Sequence, residues 1–225
     1  MCGRFVQQMP PTAYARLYGV KGEEAPLPNT APRYNAAPTQ DLLVLRRNPQ
    51  TGQRVLSLLK WGLVPAWAKE SSGGARLINA RSETVRDKPS FRAAWFKKRR
   101  CIIPADGFYE WQRQEGRKQP FYITLKNRAP MSFAGLWEGW KNPSSGQWMR
   151  TFTILTCPAN EAISALHERM PVILARNDIS TFLTAEDPFH LLHPCPAQDI
   201  ETWPVSSAVN NVHNDGPDLM QPAPV

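Results

Sequence analysis

The sequence predicts a single α+β domain in which short strands outnumber helices, and three observations carry that reading. The 225 residues contain no internal repeat and no linker long enough to divide a core. Apolar runs recur along the chain at strand length rather than helix length. The 22 prolines lack the amide that ladders and helix interiors need, so they cut the chain into short elements joined by loops. Hydrophobic residues at 42% and aromatics at 10% separate the chain from disordered sequences of low apolar content.

The elements follow in order. Residues 11–18 have the spacing of a short helix, and 42–45 and 55–61 read as the strands of a hairpin around the polar turn Asn48-Pro49-Gln50-Thr51-Gly52. Ser71-Ser72-Gly73-Gly74 reads as a flexible loop ahead of Leu77-Ile78-Asn79-Ala80-Arg81, and residues 90–98 as a helix. Further strands are predicted at 101–103, 108–112, 121–125, 131–136 and 151–156. Residues 158–166 have helical spacing with Pro158 near the start, and Pro171 stops any continuation, which leaves His167 at or just past a helix end. One domain spans 1–225, with a loose terminus from about residue 216.

Composition bounds the class of protein. No apolar run is long enough to span a bilayer and the start has no signal-peptide pattern, so a cytoplasmic, non-membrane protein is expected. Cys2, Cys101, Cys157 and Cys195 are scattered and form no C-x-x-C pair, which predicts reduced thiols. His190, His193 and Cys195 are closely spaced but sit among prolines without a clear fourth ligand, so neither metal nor cofactor is expected. The net charge of +8 is unevenly spread: residues 81–100 hold eight Lys or Arg against two acids, while 176–225 hold one Arg against seven acids. The middle of the chain is where a polyanion would be attracted.

A few residues have chemistry worth weighing. Removal of Met1 would leave Cys2 with an α-amine beside a thiol, groups that titrate near about 8 and 8.5 and are both nucleophilic near neutrality. The amine can condense with an aldehyde and the thiol can then close a five-membered ring. From position alone, a small apolar residue under an N-terminal strand accounts for Cys2 better. His167, in His167-Glu168-Arg169-Met170-Pro171, is suited to proton shuttling or to a structural hydrogen bond. Glu110 shares a strand face with Phe108, so it is either paired with an arginine or raised in pKa for proton exchange. Asn79 and Arg81 alternate onto one face, fitted to orienting a nucleophile and gripping a phosphate, or to ordinary edge polarity. Of the tryptophans flanking the basic region only Trp67, in a loop, reads as a stacking surface for single-stranded nucleic acid.

Taken together the chain resembles the SOS-response-associated peptidase (SRAP) family of abasic-site processing proteins. The resemblance runs through Met1-Cys2-Gly3-Arg4-Phe5, Arg33-Tyr34-Asn35-Ala36-Ala37-Pro38, Trp61-Gly62-Leu63-Val64-Pro65 and Asn79-Ala80-Arg81-Ser82-Glu83-Thr84. It continues through Ala105-Asp106-Gly107-Phe108-Tyr109-Glu110-Trp111, Leu166-His167-Glu168-Arg169-Met170-Pro171, Val205-Ser206 and Val209-Asn210-Asn211. It implies a barrel-like β core with peripheral short helices. It also implies that Cys2, after self-removal of Met1, forms a covalent thiazolidine link with an abasic site in single-stranded DNA and shields it from strand cleavage. Asn79 would position the terminal residue, Glu110 would handle the Schiff-base proton, and His167 would assist sugar opening. Arg4, Arg81 and Arg169 would contact phosphates, with Pro38 and Trp67 beside displaced bases. Ala68 stands where some members carry a second aromatic, which implies weaker stacking there. The implied protein is a monomer, nucleoid-associated when bound to DNA, at single-strand/double-strand junctions or elsewhere. Two other classes use the same residues: a cysteine protease acting on other proteins, and a non-covalent single-stranded DNA-binding module.

Overall fold

The computed structural model describes residues 2–21, 26–114 and 116–223. Two sheets carry the fold. The first has strand order β12-β8-β7-β1-β2, built from β1 (Phe5–Gln7), β2 (Arg33–Ala36), β7 (Gly107–Gln114), β8 (Arg117–Leu125) and β12 (Ile200–Pro204). The second contains β3 (Asp41–Arg47), β4 (Arg54–Trp61), β6 (Arg100–Ala105), β9 (Met131–Lys141) and β10 (Trp148–Pro158). Here β10 pairs with both β9 and β4, so the order β10-β4-β3-β6-β9 returns to β10 as a five-stranded barrel. The β10–β4 pair that closes it is parallel (Thr151 opposite Lys60, Phe152 opposite Trp61) and the other four are antiparallel. The far half of β10 then takes on β5 (Asn79–Arg81) and β11 (Arg169–Pro171).

The predicted hairpin is β3–β4 and each predicted strand lies within an observed one. Aromatic rings weld the two sheets. Phe5 meets Trp61 edge-on at 5.0 Å and Phe133 at 6.1 Å, Phe108 meets Phe133 at 5.8 Å, and Trp61 stacks on Phe152 at 6.2 Å. All are fully buried, and burial of such a side chain is worth about 1.5–3 kcal/mol. The opposite face of the first sheet buries a smaller cluster around Tyr109, Tyr122 and Val209.

Helices are short and peripheral: α1 (Pro11–Tyr18), α2 (Arg92–Phe96), α3 (Glu161–Ser164) and α4 (Asp178–Thr184). Two predicted helices shrink. Residues 90–98 yield only α2, and in 158–166 Pro158 ends β10 while Asn160 caps α3 by accepting from the Ile163 amide at 3.2 Å. His167 does fall just past this helix, its amide bonded to the Ile163 carbonyl. Among the described residues no helix is long and apolar enough to cross a membrane.

Two expectations need correction. The stretch read as a flexible loop forms a 3-10 turn, Ser72–Arg76, because its Gly74 packs backbone to backbone on Gly62. Gly62 has φ +122°, and a Cβ there would lie 2.7 Å from the Gly74 carbonyl oxygen. Gly62→Ala is therefore expected to lower stability by about 2–3 kcal/mol, read as a drop in the urea midpoint with unchanged m. The chain end is not loose from residue 216 either. Leu219 is buried, Trp203 Nε1 donates to the Met220 carbonyl at 2.8 Å, and the Ala223 amide donates to Pro204. A leucine that completes an apolar cluster outweighs the chain entropy of docking. Pro224 and Val225 lie outside the described residues.

Candidate active site and nucleic-acid interface

Cys2 enters just ahead of β1 and is fully buried at the junction of the two sheets. β5, held parallel to β10 by Ile154, Leu155 and Thr156, aims Asn79 at it, and Asn79 Nδ2 donates to the Cys2 carbonyl oxygen at 2.7 Å. The Oδ1 of Asn79 is buried without a hydrogen-bond partner among the described residues.

On β7 the alternation places Phe108, Glu110 and Gln112 on one face, and Gln112 reaches the Ala165 carbonyl in the turn that leads to His167. His167 Nδ1 accepts from the Arg169 amide at 2.9 Å. That bond occupies Nδ1 as an acceptor and leaves Nε2–H as the hydrogen-bond donor of the ring.

Electrostatics ties these groups together. Burial pushes the Glu110 carboxyl above the ordinary carboxylate value, and the nearby His167 charge moderates the rise. Burial first, then the Glu110 charge, push the Cys2 thiol well above its ordinary range. The sequence expectation of a free thiolate fraction near neutrality is therefore corrected, since an apolar enclosure disfavours the anion and the thiol needs a base at hand.

The structure brings Cys2, Asn79, Glu110 and His167 to one place, and it distributes the expected phosphate ligands unevenly. Arg81 is exposed beyond Asn79 on β5. Pro38 is half-buried in the turn after β2, and Trp67 is 66% exposed. Arg4 is held in place: its Nη1 donates to Asn35 Oδ1 at 2.7 Å and to the Val209 carbonyl at 2.8 Å, with the guanidinium 5.8 Å from the Trp111 ring. Arg169 is committed inward, a fork on the Glu83 carboxylate with Nη2 also donating to the Thr156 carbonyl at 2.6 Å. With its side chain only 9% exposed, it fastens β11 to the turn after β5 and has little surface left for a phosphate.

The basic stretch 81–100 is also less free than its charge count implies. Arg86 and Lys98 pair with Asp187 and Glu186, Arg99 pairs with buried Glu138, and Arg100 is buried against the Ala185 and Glu186 carbonyls. Two of its eight cations are thus paired by acids from the far, negative part of the chain and a third by Glu138.

Sequence reasoning missed the support around Arg4. Asn35 Nδ2 gathers the carbonyls of Val209, Asn211 and Asn214, and Asn210 Oδ1 accepts from Trp111 Nε1 at 2.7 Å. The signal was present in Val209-Asn210-Asn211, two adjacent amide side chains able to donate and accept.

A family model described as SOS response associated peptidase (SRAP) matches residues 1–212. Among relatives, the abasic site processing protein YoqW of Bacillus subtilis (strain 168) is 43% identical over 196 residues, covering 84% of this chain and 86% of its own length. The abasic site processing protein HMCES of Xenopus tropicalis is 32% identical over 221 residues, covering 84% and 65%. A crystal structure of a Bordetella bronchiseptica protein superimposes with a TM-score of 0.76 at 29% identity, covering 91% of this chain and all of that one. One from Bacteroides thetaiotaomicron reaches 0.85 at 22% identity, covering 99% and 100%, a likeness of fold.

Proposed function

The chain belongs to the SOS response associated peptidase family, and on that premise we propose that it captures abasic sites in single-stranded DNA as a covalent adduct on Cys2. The observation that carries this reading is the hydrogen bond from Asn79 to the Cys2 carbonyl beside a buried carboxyl and a histidine. An ordinary apolar cysteine needs no such company. The names of the relatives, abasic site processing proteins at up to 43% identity, supply the substrate class.

The first step is hydrolysis of the Met1–Cys2 peptide bond, in which water adds and methionine leaves. Met1 itself lies outside the described residues. The freed amine attacks C1′ of the open-chain sugar and water is lost, giving an imine. Cys2 Sγ then adds to the imine carbon while its proton passes to nitrogen, closing the thiazolidine. Glu110, its pKa raised by burial, gives the proton that leaves with water, recovers one from the iminium nitrogen as the imine forms, and then carries the thiol proton to that nitrogen. His167 Nε2–H donates toward the sugar ring oxygen to favour the aldehyde. Asn79 fixes the Cys2 backbone so that amine and thiol meet the same carbon. Arg4, Arg81, Pro38 and Trp67 surround the strand, and the protein acts as a monomer.

Intact-mass measurement after mixing with an abasic single-stranded oligonucleotide tests this. The expected species is the protein minus methionine plus the DNA minus one water. A mass equal to the sum of unmodified parts, or none but free protein, would sink the reading. Turnover of peptides without DNA would instead identify a protease.

A further inference from the structure

At the end of the barrel where β10 begins, far from Cys2, two adjoining hollows of about 660 and 350 Å³ share Lys97, Arg99 and Trp137. Arg47 lines one hollow and Arg150 the other, and among the described residues no carboxylate lines either. Trp148, on the rim, is 70% exposed, and Ala66 joins the hollow to the loop of Trp67. Arg99 is partly offset by buried Glu138, but Lys97 and Arg150 have no ion pair among the described residues. Positive charge is crowded here. The buried Arg46 guanidinium lies 5.0 Å from the Trp137 ring, its Nε has no partner among the described residues, and burial followed by the Arg150 charge push its pKa down. A fold keeps like charges this close, with an exposed indole between them, where an anion with flat rings can settle them.

We propose that this groove is a second contact for single-stranded DNA, in which Lys97 and Arg150 meet phosphates and Trp148 stacks a base. The inference rests on the reading above for the identity of the polyanion. Alternating cations and an aromatic platform are what a sequence-indifferent single strand requires. Trp148 stands eight strand positions from Thr156, the residue opposite Arg81, which is roughly 26 Å at about 3.3 Å per residue. A nucleotide of an extended single strand advances further than the 3.4 Å axial rise of a stacked duplex strand, so about eight nucleotides is the most this separation requires, and a strand of about two or three is too short to touch both places.

The test compares the parent protein with Lys97→Gln/Trp148→Ala/Arg150→Gln, all three side chains being exposed. Anisotropy with undamaged oligothymidylates of about 3 and about 30 nucleotides is expected to show the variant losing at least about 10-fold in affinity for the long strand only. Its salt slope on that strand should fall by about 1.4, the counterions of two phosphates. Adduct yield on a short abasic strand, measured in parallel, should be unchanged. Equal long-strand affinity and slope in the two proteins overturn the groove even if adducts form. A long-strand loss without adducts in either protein would leave the groove standing and remove the reading of the Cys2 site. Loss confined to duplex DNA overturns the single-strand assignment. If the triple variant melts early, Arg150→Gln alone serves, with half the change in slope.

Discussion

Cys2→Ala is expected to reduce the denaturation-resistant adduct with abasic single-stranded DNA below detection, a loss of more than about 100-fold. No other cysteine can substitute, since Cys101 and Cys157 are buried elsewhere in the core and Cys195 packs beside Asn160. The side chain removed is small and apolar in its surroundings, so the cost in stability is about 1 kcal/mol and the fold survives. Denaturing electrophoresis after mixing is the measurement. If the variant gives undiminished adduct, the nucleophile has been misassigned.

Glu110→Gln is expected to slow adduct formation by about 10²–10⁴-fold while making the protein more stable at neutral pH. The sign follows from burial. The folded carboxyl has its pKa raised above the ordinary 4.5, so the native state binds more protons than the unfolded chain between those two values. Stability falls as pH rises through that window and stays lower above it. Glutamine has no charge to desolvate, so the variant should lack this decline, and its Tm at neutral pH should exceed the parent's, each kcal/mol being worth about 2–4 °C. Single-turnover kinetics and melts across the acid range check both halves. A variant that is slow and also less stable would mean that Glu110 is mainly a structural partner.

Legibility in the sequence followed the range of the interactions. The β3–β4 hairpin was readable because its turn and both its strands lie within about twenty residues, and α1 because its apolar spacing is local. β1 and β2 were not, since three- and four-residue strands carry no period of their own and exist by pairing with each other across some thirty residues. Asp178–Thr184 was missed as a helix for want of an N-cap bond and a long apolar stripe. The same division holds in the site. Residue type and the family resemblance pointed to Cys2, Asn79, Glu110 and His167, but the bond between Asn79 and Cys2 depends on β5 lying against β10. Arg169 was assigned to phosphates by the family resemblance, and its ion pair with Glu83, eighty-six residues earlier, is visible only in the fold. Within residues 81–100 the pairing of Arg86, Lys98 and Arg99 with Asp187, Glu186 and Glu138 is hidden for the same reason.

Because Asn79 is aimed by β10, and Arg4 is held by the carbonyl of Val209, the segment around Cys2 is held in place from later parts of the polypeptide. A ribosome releases Cys2 first and those supports only after most of the chain, at about 5–20 residues per second. During the intervening seconds Cys2 has neither its anchoring amide nor the supported Arg4 beside it. Synthesis order thus reserves the Asn79 and Arg4 contacts for molecules whose folding is finished.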